Sequence, residues 1–81
     1  MAANSRFAVA VHALTALAYR GARGEAWTSS EKLAESVRTN PVVVRRAIAA
    51  LVRAGLVEAA AGRGGGARLA RSAADIPLAA V

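Results

Sequence analysis

The residues best suited to chemistry in this 81-residue chain are arginines, and they cluster in its second half. Between Arg38 and Arg71 there are seven arginines and one acidic residue, Glu58. The other four basic residues are balanced by four acidic ones, so this segment carries the whole net charge of +6. A guanidinium group can contact a phosphate or a guanine edge through two hydrogen bonds. Because an Arg-rich composition can also reflect a GC-rich genome, the clustering is more informative than the number of arginines.

Other residue types offer little for catalysis or metal binding. The chain has no cysteine, which excludes disulfides, thiolate catalysis and cysteine-bound zinc or iron–sulfur clusters within these residues. The single histidine, His12, has no second ligand three or four positions later, so we expect a structural or surface histidine. The five acidic residues are dispersed and form neither paired carboxylates nor a nucleophile–base pair. We therefore predict no enzymatic activity and no cofactor.

A helix at residues 40–54 must position the central arginines. Asn40 is a suitable N-cap, Pro41 falls at the first helical position, and Gly55 follows the last turn. Apolar side chains recur at helical spacing and predict a buried stripe of Val44, Ala47, Ile48 and Leu51.

The opposite face of this helix is predicted to be exposed and basic. With about 100° of rotation per residue, that face presents arginines among small side chains: Val42, Arg46, Ala49 and Arg53, with Arg45 on the flank. Two interpretations stay open at this point. The face is either an ordinary solvated helix surface, which is the commoner place for arginine, or a surface that lies against a polyanion.

A first helix is predicted near the N-terminus. Asn4 or Ser5 can cap it, and it should run to about Tyr19 or Arg20 before the glycines at 21 and 24 make a flexible connection. Its helical spacing predicts an inward face of Phe7, Val11, Leu14 and Ala18, with Leu17 beside them.

A second, shorter helix is predicted at residues 29–37. Residues 28–31 match a capping box in which Thr28 is the N-cap and Glu31 reaches back, and residues 26–28 could form a short edge strand. A turn at residues 38–40 then leads into the basic helix. This order of helix, turn and helix is typical of proteins whose second helix enters the DNA major groove.

A glycine-rich β-hairpin is predicted after Gly55. Two short apolar runs, 56–61 and 67–70, flank the glycines of residues 62–66, with Arg63 at the tip and Arg68 on the return strand. A nucleotide-binding loop is less favoured, because the segment lacks the Lys-Ser/Thr pair and no helix follows immediately. A mobile, cationic tip suits the phosphates beside a minor groove. Pro77 could begin another helix within residues 72–81.

Together these elements predict a single domain over residues 1–81, mainly α with a small β-hairpin: a winged helix-turn-helix, in which a three-helix bundle carries a hairpin wing. No run of about 18 apolar residues is long enough to span a membrane, and the N-terminus lacks the pattern of a signal peptide. We therefore predict a cytoplasmic protein.

The sequence resembles the Rrf-two (Rrf2) family of bacterial winged-helix transcription regulators, along nearly its whole length. The similarity rests on S-R-F-A-V-x-V-H-A-L-x-x-L-A (5–18), T-S-x-x-L-A-E-S-V-x-T-N-P-V-V-V-R-R (28–46) and L-x-x-A-G-L-V-E (51–58). It continues through G-R-G-G-G-A-R-L-A-R (62–71) and D-I-P-L-A-A-V (75–81). The family includes an iron–sulfur cluster regulator, a nitric-oxide-sensing repressor and a cysteine-metabolism repressor. The N-P-V-V-V-R-R form is most similar to a cysteine-free subgroup.

The resemblance implies a DNA-binding surface built from three parts of the chain. It places the start of the recognition helix (40–54) in the major groove, with Asn40, Pro41, Arg45 and Arg46. Val42, on the same predicted exposed face, is included as a further DNA contact. It places the wing (62–66) near the minor groove, with Arg63, Gly64, Gly65 and the neighbouring Arg68. It places Arg38 and the helix starts near phosphates, at Thr28, Ser29 and Thr39.

The resemblance further implies a homodimer that regulates transcription, expected to be a repressor, on double-stranded DNA. The chain departs from the family in two respects. It lacks the three cysteines of the cluster-binding members, and we expect it to lack the long dimerisation helix that follows the wing in the family. The alternative function is a winged-helix interaction module whose basic face binds an acidic protein. RNA binding is less favoured, because Tyr19 and Trp27 do not form a stacking pattern.

Overall fold

The computed structural model describes residues 6–72, which form three helices followed by a two-stranded antiparallel hairpin. The elements are α1 (Arg6–Ala22), α2 (Ser30–Val37), α3 (Pro41–Arg53), β1 (Val57–Ala60) and β2 (Gly66–Leu69). The predicted fold class is confirmed. The caps proposed at Asn4 or Ser5 and the helix start at Pro77 lie outside the described residues. Within the described residues, no helix has the length and apolarity that a membrane crossing requires.

α1 buries a face that overlaps only in part with the one that its apolar spacing predicts: Leu14 and Leu17 are buried as predicted, and Val11 and Ala18 are half-buried. The buried residues are Val9, Ala10, Ala13, Leu14 and Leu17. Phe7 is 60% exposed, so its predicted place in the core was wrong. α1 packs against α2, α3 and β2 together, and small side chains at Ala10 and Ala13 let these elements approach closely. Which residues of α1 are buried therefore depends on where the neighbouring elements pack against it. The spacing of its large apolar residues alone does not show this.

α1 also runs about two residues further than predicted, through Gly21 to Ala22. The chain leaves the helix at Gly24, whose φ of +93° lies in the region that favours glycine. There the N–H of Glu25 donates to the carbonyl of Arg20 at 3.0 Å. The second glycine, rather than the first, therefore ends the helix.

The N-cap of α2 is Ser29, so the predicted capping box at Thr28 was wrong by one residue. The Ser29 side chain accepts a hydrogen bond from the backbone N–H of Lys32 at 3.2 Å. Thr28 is instead 2% exposed, and its backbone exchanges two hydrogen bonds with Ala67, at 2.9 and 2.8 Å. The predicted edge strand is reduced to this single bridge. Its backbone is committed to β2, so Thr28 is unavailable to start a helix.

The turn between α2 and α3 depends on a left-handed residue, Arg38, at φ +57° and ψ +48°. This conformation lets the N–H of Thr39 donate to the carbonyl of Ala34 at 3.0 Å, which closes the end of α2. A residue with a Cβ adopts it at a cost of roughly 1–2 kcal/mol. The turn is short as a result, and α3 follows α2 almost at once.

α3 has the ends and the buried stripe that the sequence predicts. Asn40 is the N-cap, accepting a hydrogen bond from the N–H of Val43 at 3.0 Å, and Pro41 is the first helical residue. Gly55 follows the helix at φ +78°. The helix buries Val44, Ile48 and Leu51 and half-buries Ala47.

The hairpin is fastened to the helices at its base. Val57 pairs with Leu69 and Ala60 with Gly66, and the strands bury Val57 and Ala67 in the common core. Gly66 packs against the bridge residue Thr28: a Cβ on Gly66 would lie 2.9 Å from the nitrogen of Ser29 and closer still to the Thr28 carbonyl. The rest of the core comes from the helices and Leu56, with Ala10, Ala13, Leu14, Leu17, Leu33, Ala34, Val44, Ile48 and Leu51.

Candidate nucleic-acid interface

The outer face of α3 is exposed and carries three arginines, as the helical spacing predicts. Its exposed residues include Val42, Arg45, Arg46, Ala49 and Arg53. Because Val44, Ile48 and Leu51 hold the opposite side in the core, the direction in which these guanidinium groups point is fixed by the fold. Because the side chains between these arginines are small, a ligand on this face can come close to the helix backbone.

The hairpin lies beside the same face of α3. A groove between the two elements is lined on the helix side by Arg45, Ala49 and Arg53, and on the hairpin side by Ala59, Ala60 and Gly66. Ser30, the first residue of α2, lies at this groove too. The exposed face of α3, the start of α2 and the hairpin therefore border one continuous surface.

A second groove runs along the other flank of α3, towards the start of α1. Arg6 lies in it with Arg46 and Arg53. Arg6 was not among the predicted site residues, because nothing in its local pattern sets it apart from an ordinary helix-start arginine. Only the packing of α1 on α3 brings it to the basic face.

The tip of the hairpin carries Arg63, which is exposed. The turn is closed by a hydrogen bond from the N–H of Gly65 to the carbonyl of Gly62 at 3.1 Å, and Gly64 has a φ of +79°. A Cβ on Gly65 would collide with the backbone carbonyl of Ala60. The glycines are therefore required by the turn itself, whatever contact the tip makes.

Arg68 is engaged within the protein, unlike Arg63. Its guanidinium group lies 4.2 Å from the centre of the Trp27 ring, and its Nε donates to the carboxylate of Glu58 at 2.8 Å. A stacked, paired arginine stabilises the hairpin against the segment before α2. The predicted contact between Arg68 and a phosphate would require the Arg68 side chain to leave this pair and stack.

The residues at the helix starts differ in their exposure and in their hydrogen bonds. Ser29 and Asn40 use their side-chain oxygens as caps, and Pro41 and Thr39 are half-buried beside Asn40. Arg38 is exposed in the turn. Thr28 is 2% exposed and its N–H is bonded to Ala67, so we remove it from the predicted phosphate contacts.

Charge pairing leaves most of the basic face uncompensated. Among the described residues, Arg45 is paired with Glu31 at 3.3 Å and Arg20 with Glu25 at 2.8 Å. Within residues 6–72 no ion pair involves the other cations of this surface, which are Arg6, Arg38, Arg46, Arg53 and Arg63. Such a surface attracts a polyanion.

Within residues 6–72, the potential metal ligands are dispersed. The sequence contains no cysteine, and the described residues contain no group of three histidine or acidic side chains that could hold a metal ion. His12 is exposed on α1.

The fold and the exposed basic helix define a winged helix-turn-helix protein, and comparisons with known proteins agree. Residues 3–81 match the Rrf2 family, described as "Iron-dependent Transcriptional regulator". A Bacillus subtilis (strain 168) protein named "Putative HTH-type transcriptional regulator YwnA" is 47% identical over 75 residues. The chain belongs to the Rrf2 family of transcriptional regulators, and the matches are to regulators rather than enzymes.

Two solved structures resemble the chain. T. potens IscR superposes with a TM-score of 0.80 at 31% identity, over 91% of this chain. A crystal structure of a "putative transcriptional regulator" from Lactobacillus plantarum superposes with a TM-score of 0.69 at 32% identity, over 82% of this chain. The chain spans 52% of the Bacillus protein and 53% and 42% of the chains of known structure. It therefore corresponds to about half the length of these relatives.

Proposed function

We propose that this chain binds double-stranded DNA, with α3 in the major groove and the hairpin tip near the adjacent minor groove. The observation that carries the proposal is the outer face of α3, where Arg45, Arg46 and Arg53 are exposed together beside a hairpin tipped by Arg63. A helix with this face, next to a cationic hairpin, matches the way in which helix-turn-helix proteins meet DNA.

The residues divide between base contacts and phosphate contacts. Arg45 and Arg46 lie on the exposed face within the first half of α3, where guanine edges can accept two hydrogen bonds from a guanidinium group. Val42, one turn earlier, offers an apolar surface to a thymine methyl group. Arg38 and Arg63 would contact phosphates on either side and fix the orientation of the domain.

The backbone also contributes to phosphate binding in this arrangement. The N–H groups at the starts of α2 and α3 favour an anion, and Thr39 lies beside the second of these starts. Gly64 and Gly65 allow the hairpin backbone to approach the DNA without side-chain obstruction.

We extend the proposal to a cytoplasmic homodimer that acts as a repressor, without a cofactor bound by residues 1–81. Two copies of α3 would occupy half-sites about 34–36 Å apart, and the bound protein would block access to the promoter. Sedimentation at several concentrations measures whether the present chain dimerises alone, and a reporter gene downstream of the operator tests repression.

The decisive experiment compares DNA with an acidic protein surface. In a gel shift with random-sequence duplex and a parallel retention assay on immobilised acidic protein, we expect the chain to bind duplex at low salt. Retention by the acidic protein without a shift of the duplex would favour the interaction-module alternative instead.

A further inference from the structure

One arginine of the exposed α3 face already has an anionic partner. The Nη2 of Arg45 donates to the Oε2 of Glu31 at 3.3 Å, and the two side chains are 55% and 69% exposed. Among the described residues, Glu31 is the only acid that forms an ion pair with an α3 arginine. The pair therefore connects the start of α2 to the surface proposed to contact DNA.

The position of Glu31 places its negative charge at the edge of that surface. It is the second residue of α2, two positions after the N-cap Ser29, and its neighbour Ser30 shares the groove beside the hairpin with Arg45. A carboxylate in the first turn is favourable for the helix, because it complements the positive end of the helix dipole. The same end of a helix attracts phosphate, so Glu31 occupies a place that DNA would otherwise use.

We propose that Glu31 competes with DNA for Arg45 and limits the affinity of the domain for duplex; the proposal rests on the proposed function. Arg45 must leave Glu31 to reach a phosphate or a base, and the released carboxylate then faces the DNA backbone. The pair is exposed and therefore weak, so the competition is reversible. Its removal should tighten binding by a factor on the order of two to ten at low salt.

Glu35 provides a matched control on the same helix. It lies one helical turn after Glu31, is exposed, and forms no ion pair within residues 6–72. Glu31→Gln and Glu35→Gln change the net charge equally. A difference between them therefore reports the local contact with Arg45 rather than the overall charge.

The experiment measures the dissociation constant for random-sequence duplex by fluorescence anisotropy over a series of salt concentrations. For Glu31→Gln we expect binding about two- to tenfold tighter than wild type and a salt slope steeper by up to about 0.9, since one more guanidinium group is free to neutralise a phosphate. For Glu35→Gln we expect a smaller change in both quantities. Equal effects of the two substitutions would overturn the proposal.

A double-variant cycle shows whether the effect passes through Arg45. In an Arg45→Ala background, Glu31→Gln should lose most of its gain; a gain retained in full would also overturn the proposal. Glu31→Asp keeps the charge at the start of α2 but shortens the reach towards Arg45, so we expect intermediate affinity. Thermal unfolding of every variant verifies that the fold is retained.

The controls separate this proposal from the proposed function. If the wild-type chain binds no duplex at any salt concentration, both fail together. If the wild type binds duplex and the Gln variants are indistinguishable, DNA binding stands and only the competition by Glu31 is overturned.

Discussion

Arg45 and Arg46 are neighbours in the sequence but differ in their surroundings. Arg45 is bonded to Glu31, whereas Arg46 lies towards the opposite flank of α3, in the groove with Arg6 and Arg53. Within residues 6–72 Arg46 forms no ion pair, so no described carboxylate competes for its guanidinium group. It is therefore the better of the two for testing base contacts.

Replacing Arg46 with alanine should weaken binding to a selected operator by about 1–3 kcal/mol, the contribution of one bidentate contact with guanine. Binding to random duplex should weaken less, because only a phosphate contact is lost there. Anisotropy titrations against both duplexes measure the difference. Arg23→Ala is the control for the change in net charge, since Arg23 follows α1 and its guanidinium group lies over the ring of Tyr19 at 5.4 Å. Equal losses on the two duplexes would contradict a base-reading role.

Asn40 combines a place at the interface with a cap that stabilises α3. Asn40→Ala removes the acceptor for the N–H of Val43, and we expect the free energy of unfolding to fall by about 1 kcal/mol. In a domain of this size, that change lowers the melting temperature by about 4–8 °C. Asn40→Ser, which keeps a capping oxygen, should stay near wild type in the same thermal scan. A similar loss of stability in both variants would mean that the capping oxygen is not what stabilises α3.

At the scale of elements, the two hairpin arginines should have separable effects. Arg63→Ala should reduce the salt slope of DNA binding by about 0.9 and leave stability unchanged, because its side chain is exposed at the tip. Arg68→Ala removes the stack on Trp27 and the pair with Glu58. We expect it to lower the free energy of unfolding by about 0.5–1.5 kcal/mol with little effect on the salt slope.

Urea denaturation and salt titration of the two variants provide both measurements. The reverse pattern, with a large salt effect for Arg68→Ala and none for Arg63→Ala, would restore the phosphate contact that the sequence predicted for Arg68.

The attachment of the hairpin to the helices depends on Gly66. Gly66→Ala should destabilise the domain by roughly 2–4 kcal/mol, because its Cβ would push β2 away from the backbone of Thr28 at a φ of +141°. Gly64→Ala, at φ +79° in open space, should cost only about 1–2 kcal/mol. Chemical denaturation compares them. If the two variants were equally stable, the close approach of Gly66 to Thr28 would not add to the cost of the substitution.

The elements that the sequence predicts well are those whose signals lie within a few residues. Asn40, Pro41 and Gly55 mark both ends of α3, and the glycines of residues 62–66 mark the hairpin turn. Phe7 and Thr28 are different. Whether each is buried depends on which other elements pack against it, and that information is spread over the whole chain.

For the candidate site, local sequence patterns predict which side chains are exposed but not which tertiary contacts they make. The exposure of Arg45 and Arg46 follows from helical spacing alone. The engagement of Arg68 by Trp27 and the approach of Arg6 to α3 depend on tertiary contacts, which no local pattern reports. The left-handed conformation of Arg38 was not predicted either, because its sequence lacks the glycine that usually marks such a turn.

For the whole molecule, the arrangement of charge predicts a strong dependence of DNA affinity on salt. On random-sequence duplex, where Arg45 and Arg46 would also contact phosphates, neutralisation by Arg38, Arg45, Arg46, Arg53 and Arg63 should give a slope of log affinity against log salt of about −4.5 per chain. Titrations at several salt concentrations measure it. A slope near zero would contradict duplex binding, and a slope shallower by about 0.9 would match the loss of one contact to Glu31.

The bridge between Thr28 and Ala67 has a practical consequence for building new binding proteins. It secures the base of the hairpin to the helical body, so residues 61–64 could be lengthened while the anchoring contacts are kept. Doubling the length of a flexible loop costs only about 0.6 kcal/mol of closure entropy. The tip is therefore a suitable place to graft foreign peptide segments. A set of such chimaeras would differ in how far the hairpin tip extends along the groove, while the rest of the domain stays unchanged.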